Sequence, residues 1–165
     1  MLHFIAAPGT VIVLVPWLLT RWQPMSMPAY WLPVRLGGGL VACVAIAVIA
    51  REFVRFVTEG RGSPAPIVPT ERLVVSGLYR CVRNPMYVAV LAAVLGQAVL
   101  LGRPVLLAYG AGLGLVMWLF VRAYEEPALA RQHGTAYDDY RRAVPGWLPR
   151  ISGHRSSQVR RPSAR

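Results

Sequence analysis

The sequence predicts an all-α fold: an integral membrane bundle of four transmembrane helices with a charged cytoplasmic connector and an amphipathic C-terminal helix. Three observations lead there. The 165 residues are 55% hydrophobic and 15% charged, with a mean hydropathy of +0.44. Their apolar residues gather in four runs close to bilayer length, none with an ionisable residue at its centre. The 18 basic residues are all arginine, and they divide unequally: fifteen lie in 51–85 or after residue 121, three at Arg21, Arg35 and Arg103. Basic residues favour the cytoplasmic side of a membrane, so this division places both termini and both arginine-rich junctions there. All seven acids fall on the same side.

The first run, residues 4–20, is at the short limit for a span and is interrupted by Pro8, Gly9 and Pro16. It has neither a basic stretch before it nor a small-residue cleavage pattern after it, and is read as a span and not as a signal peptide. Residues 21–33 carry Trp22, Tyr30 and Trp31, which suit the headgroup belt. The second span, about 34–52, opens on Gly37, Gly38 and Gly39, where another backbone can approach closely. In the connector 51–85, Gly60 to Pro66 and Pro69 read as extended loop, Leu73 to Val75 as a short apolar anchor and 77–83 as one helical turn. The third span covers about 85–101. Gly102, Arg103 and Pro104 then turn tightly into a fourth, about 104–122, whose Gly110 and Gly114 suit close packing inside the bundle better than a dimer interface.

Beyond Pro127, residues Leu129, His133, Ala136, Tyr137 and Tyr140 recur on one helical face, giving an amphipathic helix loosened at Gly134. Residues 1–150 are read as one domain. Residues 151–165, with arginines, no acid and few apolar side chains, are read as a disordered tail drawn to anionic lipid headgroups. The net charge of +11 could serve nucleic acid, but no nucleic-acid motif occurs and the arginines cluster beside apolar runs, so anionic lipid is the expected partner. His3, His133 and His154 are far apart, and Cys43 and Cys81 share no ligand spacing. No metal site is expected, and both cysteines are read as free thiols.

Chemistry is expected at Ser76 to Tyr87, which places Arg80, Arg83, Tyr79 and Tyr87 around a helix start. Asn84 and Pro85 read as N-cap and first helical residue, so open N–H groups there can hold an anion. Alone, these residues could simply begin a membrane helix and face lipid phosphates. Their company adds weight. The order Gly77-x-Tyr79-Arg80-x-x-Arg83-Asn84-Pro85-x-Tyr87, a hairpin of two spans, Glu125–Glu126 and a Tyr137-x-x-Tyr140 helix resembles the isoprenylcysteine carboxyl methyltransferase family, and related phospholipid methyltransferases share the pattern. The likeness covers roughly residues 60–150. It departs at Asn84, where members commonly carry His, and at Ala89, often Gly.

The resemblance implies an integral membrane enzyme that binds S-adenosylmethionine on its cytoplasmic side and methylates a lipophilic acceptor entering from the bilayer. Carried over residue by residue, it nominates Arg83, Glu125 and Arg80 as catalytic. For cofactor binding it nominates Tyr79, Arg83, Asn84, Pro85, Tyr87, Glu125, Glu126, Tyr137 and Tyr140. Their chemistry suits these roles. Arg83 and the helix-start N–H groups match a carboxylate, Glu125 or Glu126 an ammonium or ribose hydroxyls, and the tyrosines an adenine or a sulfonium. Arg80 or Arg83 could instead hold an anionic acceptor, and His133 is the nearest base for an amine. Adjacent glutamates on a helix diverge by about 100°, so both reach one pocket only if the helix ends between them, which Pro127 would allow. Two alternatives stand beside this reading: a phospholipid (ethanolamine-type) N-methyltransferase and a non-catalytic small membrane protein.

Overall fold

The computed structural model describes residues 9–59 and 77–148. The expectations for residues 4–8, for the loop and anchor within 60–76 and for the tail after 150 lie outside this range. All regular structure among the described residues is helical. Helix α1 spans Thr10–Thr20, α2 Leu32–Glu59, α3 Pro85–Leu101, α4 Pro104–Phe120, α5 Glu126–His133 and α6 Thr135–Ala143.

Two helical stretches, Ala29–Val54 and Pro104–His133, are long and apolar enough to cross a membrane. Their apolar windows are only 22% and 17% buried, whereas the core helix of a soluble protein turns its apolar side inward. Leu36, Leu40, Leu115 and Val116 all face outward, and apolar faces of that extent are at home in lipid. Helices α1 and α3 are apolar but shorter. Two boundaries differ from those expected. Helix α2 continues to Glu59, because residues 53–59 hold no Gly or Pro to stop it. Past residue 120 the fourth apolar helix does not end but passes through a π turn, Val121–Glu125, directly into α5.

That π turn has a counterpart in α1, and proline explains both. Pro16 has no N–H and its ring crowds the carbonyl four residues back. The chain accommodates it by widening one turn, Thr10–Leu14, so that the Val15 N–H donates to Thr10 O. The Val11 and Ile12 carbonyls lose their helical donors as a result. Tyr109 Oη donates to Val11 O at 3.0 Å, and Gln97 Nε2 donates to Ile12 O at 3.0 Å. These two bonds tie α1 to α4 and α3.

Helices α2 and α3 run antiparallel at close range. A Cβ built on Gly96 would lie 2.7 Å from Ala42 N and 2.7 Å from Gly38 O, so the crossing exists only because Gly96 has no side chain. Of the three glycines opening α2, Gly38 meets Gly96 and Val99, Gly39 meets Leu100, and Gly37 meets nothing within 4 Å. Further along, Ala45 and Ile49 pack with Val90, Ala93 and Ile12. Gly102, at φ 65°, closes α3 and permits the short turn into α4. Gly110 then lies against Leu95 and Gly114 against Leu91, so this glycine pair packs within the bundle. The loop at 21–28 is pinned to this same end, with Met25 N donating to Leu101 O at 2.9 Å and Arg103 Nε to Gln23 O at 2.9 Å. The opposite end holds the start of α3, the π turn after α4, and α5 and α6.

Candidate active site at the start of α3

Asn84 occupies the N-cap position and Pro85 the first turn of α3, but the Asn84 side chain makes no capping bond. Its Nδ2 donates instead to Gly146 O at 3.1 Å, and its backbone N–H reaches the same carbonyl at 3.2 Å. The expected cap is therefore an anchor for the chain after α6. The Nδ2 bond holds the amide toward Gly146, so Oδ1 does not cap the helix and the N–H groups of Met86 and Tyr87 have no side-chain cap.

Arg83, one residue earlier, is the centre of the junction. Its Nη1 donates to Glu126 Oε1 at 2.8 Å and to Tyr137 Oη at 3.3 Å, and its Nε to Val144 O at 3.0 Å. Arg141 Nη2 approaches the other Glu126 oxygen at 3.5 Å. The Arg83 backbone N–H adds a bond to Pro145 O at 2.9 Å. One guanidinium thus fastens the start of α3 to α5, α6 and the residues after them, using the fork of donors that arginine alone provides.

Glu125 and Glu126 have different neighbours, as adjacent residues on a continuous helical path must. Glu126 N–H donates to Val121 O, and Pro127, which cannot donate, lies just beyond, as Pro16 does in α1. The helix does not end between the two acids, which corrects the condition set from the sequence. They diverge, Glu126 to Arg83 and Arg141, Glu125 to Tyr87, whose Oη donates to Glu125 Oε2 at 3.1 Å.

Behind Arg83, Tyr137 and Tyr140 pack with Val144, Leu129 and Ala130. Their rings tilt against each other at 6.5 Å, and Tyr140 Oη donates to Tyr79 O at 2.8 Å. Burial pushes the Tyr140 phenol up to about 12, with Arg83 pulling weakly the other way. Burial also raises Tyr137, and the Glu126 charge adds to that. Ala136, expected on the same packed face, is exposed, because the break at Gly134, φ 52° and ψ −130°, rotates α6 away from the periodicity of α5.

A cleft of about 210 Å³ opens in front of Arg83, lined by Val11, Tyr79, Arg83, Asn84, Pro85, Met86, Tyr87, Val90, Met117 and Glu125. Six of the nominated residues line it: Tyr79, Arg83, Asn84, Pro85, Tyr87 and Glu125. Glu126, Tyr137 and Tyr140 do not: Glu126 and Tyr137 hold Arg83 from behind, and Tyr140 holds the Tyr79 carbonyl. Arg80 is exposed at the end of the turn Gly77–Arg80 and does not line the cleft. His133 Nε2 is buried without a partner, but His133 is not part of the lining either. No group of three or more His, Cys, Asp or Glu able to hold a metal occurs among the described residues.

Several contributors escape sequence reasoning. Val11 and Met117 reach the cleft from α1 and α4, and nothing in an apolar run distinguishes them. Residues Val144 to Trp147 supply three carbonyls to Arg83 and Asn84, and the Trp147 ring stacks on Tyr87 at 6.2 Å. The run Pro145-Gly146-Trp147 directly after an amphipathic helix is the only trace of this strap in the sequence.

Comparison with known proteins falls on this junction. The family model of phospholipid methyltransferases matches residues 65–136. Over 87 residues, 51% of this chain, the sequence is 37% identical to protein-S-isoprenylcysteine O-methyltransferase of Mus musculus and of Rattus norvegicus, and 36% identical to that of Homo sapiens. The match covers 30% of the length of each of these relatives. No solved structure matches the chain. The segment that matches the phospholipid methyltransferase model, residues 65–136, carries Tyr79 to Tyr87 together with Glu125 and Glu126.

Proposed function

We propose that the chain is an integral membrane methyltransferase that uses S-adenosylmethionine and methylates a lipophilic acceptor, in the manner of isoprenylcysteine carboxyl methyltransferases. In this reading α1, α2, α3 and α4 all span the bilayer, the cleft faces the cytoplasm, and anionic headgroups meet the arginines around it. The observation that carries it is the cleft itself, where Tyr79 to Tyr87 and Glu125 converge from junctions 38 residues apart inside the segment that matches the family model.

The lining residues suit the cofactor. The Met86 and Tyr87 N–H groups, uncapped by a side chain, favour a carboxylate at the positive end of α3. Glu125 accepts from Tyr87 through one oxygen, which leaves the other to accept from an ammonium or a ribose hydroxyl. The faces of Tyr79 and Tyr87 favour an adenine or a cationic sulfur. S-adenosylmethionine would supply an activated methyl group. The protein's part is to align the acceptor and exclude water, for which the apolar walls Val11, Met86, Val90 and Met117 are suited. These walls come from α1, α3 and α4, so an acceptor could enter sideways from lipid. Arg80 and Arg83 would act on an anionic acceptor only if Arg83 gave up part of its present bonding.

The second reading, a phospholipid (ethanolamine-type) N-methyltransferase, is favoured by the description of the matching family. Calorimetry of the full chain with S-adenosylmethionine and with its demethylated product tests the site, and labelled cofactor with separated lipids names the acceptor. Binding by the parent protein that is lost in Glu125→Ala supports the assignment. Equal binding in both, or none in either, overturns it.

A further inference from the structure

The strap after α6 lies along the start of α3. Val144 O accepts from Arg83 Nε at 3.0 Å, Pro145 O from the Arg83 N–H at 2.9 Å, and Gly146 O from both the N–H and the Nδ2 of Asn84. The approach is close enough that a Cβ on Gly146 would stand 3.2 Å from Arg83 Nη2. Trp147 follows directly, so its backbone is held one residue from a doubly bonded carbonyl. On α3, Tyr87 lies three residues past Asn84 and returns to nearly the same face of the helix. This register brings Trp147 opposite Tyr87, and the two rings stack at 6.2 Å with 28° between their planes.

An indole near a membrane surface commonly serves as an anchor, its ring turned out to the headgroups. Trp147 is placed otherwise. Its neighbour Leu148 is 81% exposed, whereas Trp147 is half-buried against Tyr87. Trp147 does not line the cleft either, while Tyr87 does, so the indole meets the Tyr87 ring away from the lining. From its present position the Tyr87 hydroxyl donates to Glu125, but a tyrosine side chain has other rotamers open to it. The stacked indole favours the one that makes this bond.

We propose that Trp147 is a positioning residue of the cleft: its indole holds the Tyr87 ring where the hydroxyl meets Glu125. The role rests on the methyltransferase reading, since it is exerted on two residues assigned there to the cofactor.

The test is calorimetry of the full chain in detergent micelles with S-adenosylmethionine, with thermal midpoints read on the same samples. Trp147→Leu keeps apolar bulk and the backbone bonds of the strap. It should weaken binding by about fivefold, as loss of the hydroxyl itself should, because both undo one hydrogen bond. Trp147→Phe keeps a ring to stack and should bind within about twofold of the parent. In a Tyr87→Phe background there is no hydroxyl to hold, so Trp147→Leu should cost no further affinity. The proposal is overturned if Trp147→Phe loses as much as Trp147→Leu, or if Trp147→Leu costs the same with and without the Tyr87 hydroxyl. A lower midpoint with unchanged affinity would make Trp147 a tether of the chain end and overturn it as well. Binding by the parent that Trp147→Leu leaves unchanged removes the positioning role alone, whereas no binding by the parent removes the methyltransferase reading and this role with it.

Discussion

Arg83 meets Glu126 at 2.8 Å, and the two side chains are 14% and 12% exposed. This contact joins residues 43 positions apart and bolts the start of α3 to the helix that follows α4. Breaking one half of a pair so shielded leaves the other charge stranded, at about 3–5 kcal/mol. Arg83→Ala and Glu126→Ala should each lower the thermal midpoint strongly, and the double variant should fall short of the sum of the two. Additive losses in that double-mutant cycle would show that the two side chains act independently.

Tyr87 donates to Glu125 at the edge of the cleft and stacks on Trp147. Tyr87→Phe keeps the ring and removes the donor. We expect the fold to be unaffected and the affinity for S-adenosylmethionine to fall by about fivefold, the worth of one ordinary hydrogen bond. Calorimetry decides this, and an unchanged affinity would exclude the Tyr87 hydroxyl from the site.

Gln97 takes up the Ile12 carbonyl that Pro16 leaves without a donor. Gln97→Leu has nearly the same volume and cannot donate. The carbonyl is then orphaned in an apolar setting, which costs about 1–3 kcal/mol. Restoring the backbone donor through Pro16→Ala should recover part of that loss, and chemical unfolding of the two single variants and the double variant will show whether it does.

Gly96 and Gly112 predict opposite outcomes for the same substitution. A Cβ at Gly96 would meet Ala42 N at 2.7 Å, and one at Gly112 would meet nothing within 4 Å. Gly96→Ala must push α2 off α3 and should cost about 1–3 kcal/mol. Gly112→Ala should be neutral or stabilising by up to about 1 kcal/mol, since alanine loses less freedom in a helix. Paired melting curves distinguish them.

The Tyr140 phenol, raised to about 12 by burial, predicts the alkaline limit. The neutral form is favoured in the folded state, so its contribution is intact below the ordinary phenol value of about 10 and is lost as pH rises toward 12. Phenolate absorbance should show a set of late-titrating tyrosines from which Tyr140→Phe removes one, with unfolding of the α5–α6 region shifted to higher pH.

Much of the helical plan is legible in the sequence because its signals are local. Pro85 and Gly102 start and stop α3, the apolar runs set the long helices, and Gly134 marks the break between α5 and α6. The pairing of arginine-rich junctions at one end follows from charge counting alone. What escaped depends on contacts distant in sequence. Asn84 is a good capping residue by type, yet its donors go to Gly146, because the strap after α6 offers a carbonyl at the right distance. Likewise Tyr137 and Tyr140 look like lining residues by spacing, yet Tyr137 supports Arg83 and Tyr140 the Tyr79 carbonyl from behind.

The sequence by itself determined that this is an apolar, helical chain whose polar residues gather at two junctions, since periodicity, composition and proline positions act within a few residues. Only the tertiary structure decided which of those residues face the cleft. Glu125 turns to Tyr87 and Glu126 to Arg83, and a glycine contact lets α2 and α3 approach closely. Both outcomes depend on packing between segments far apart along the chain.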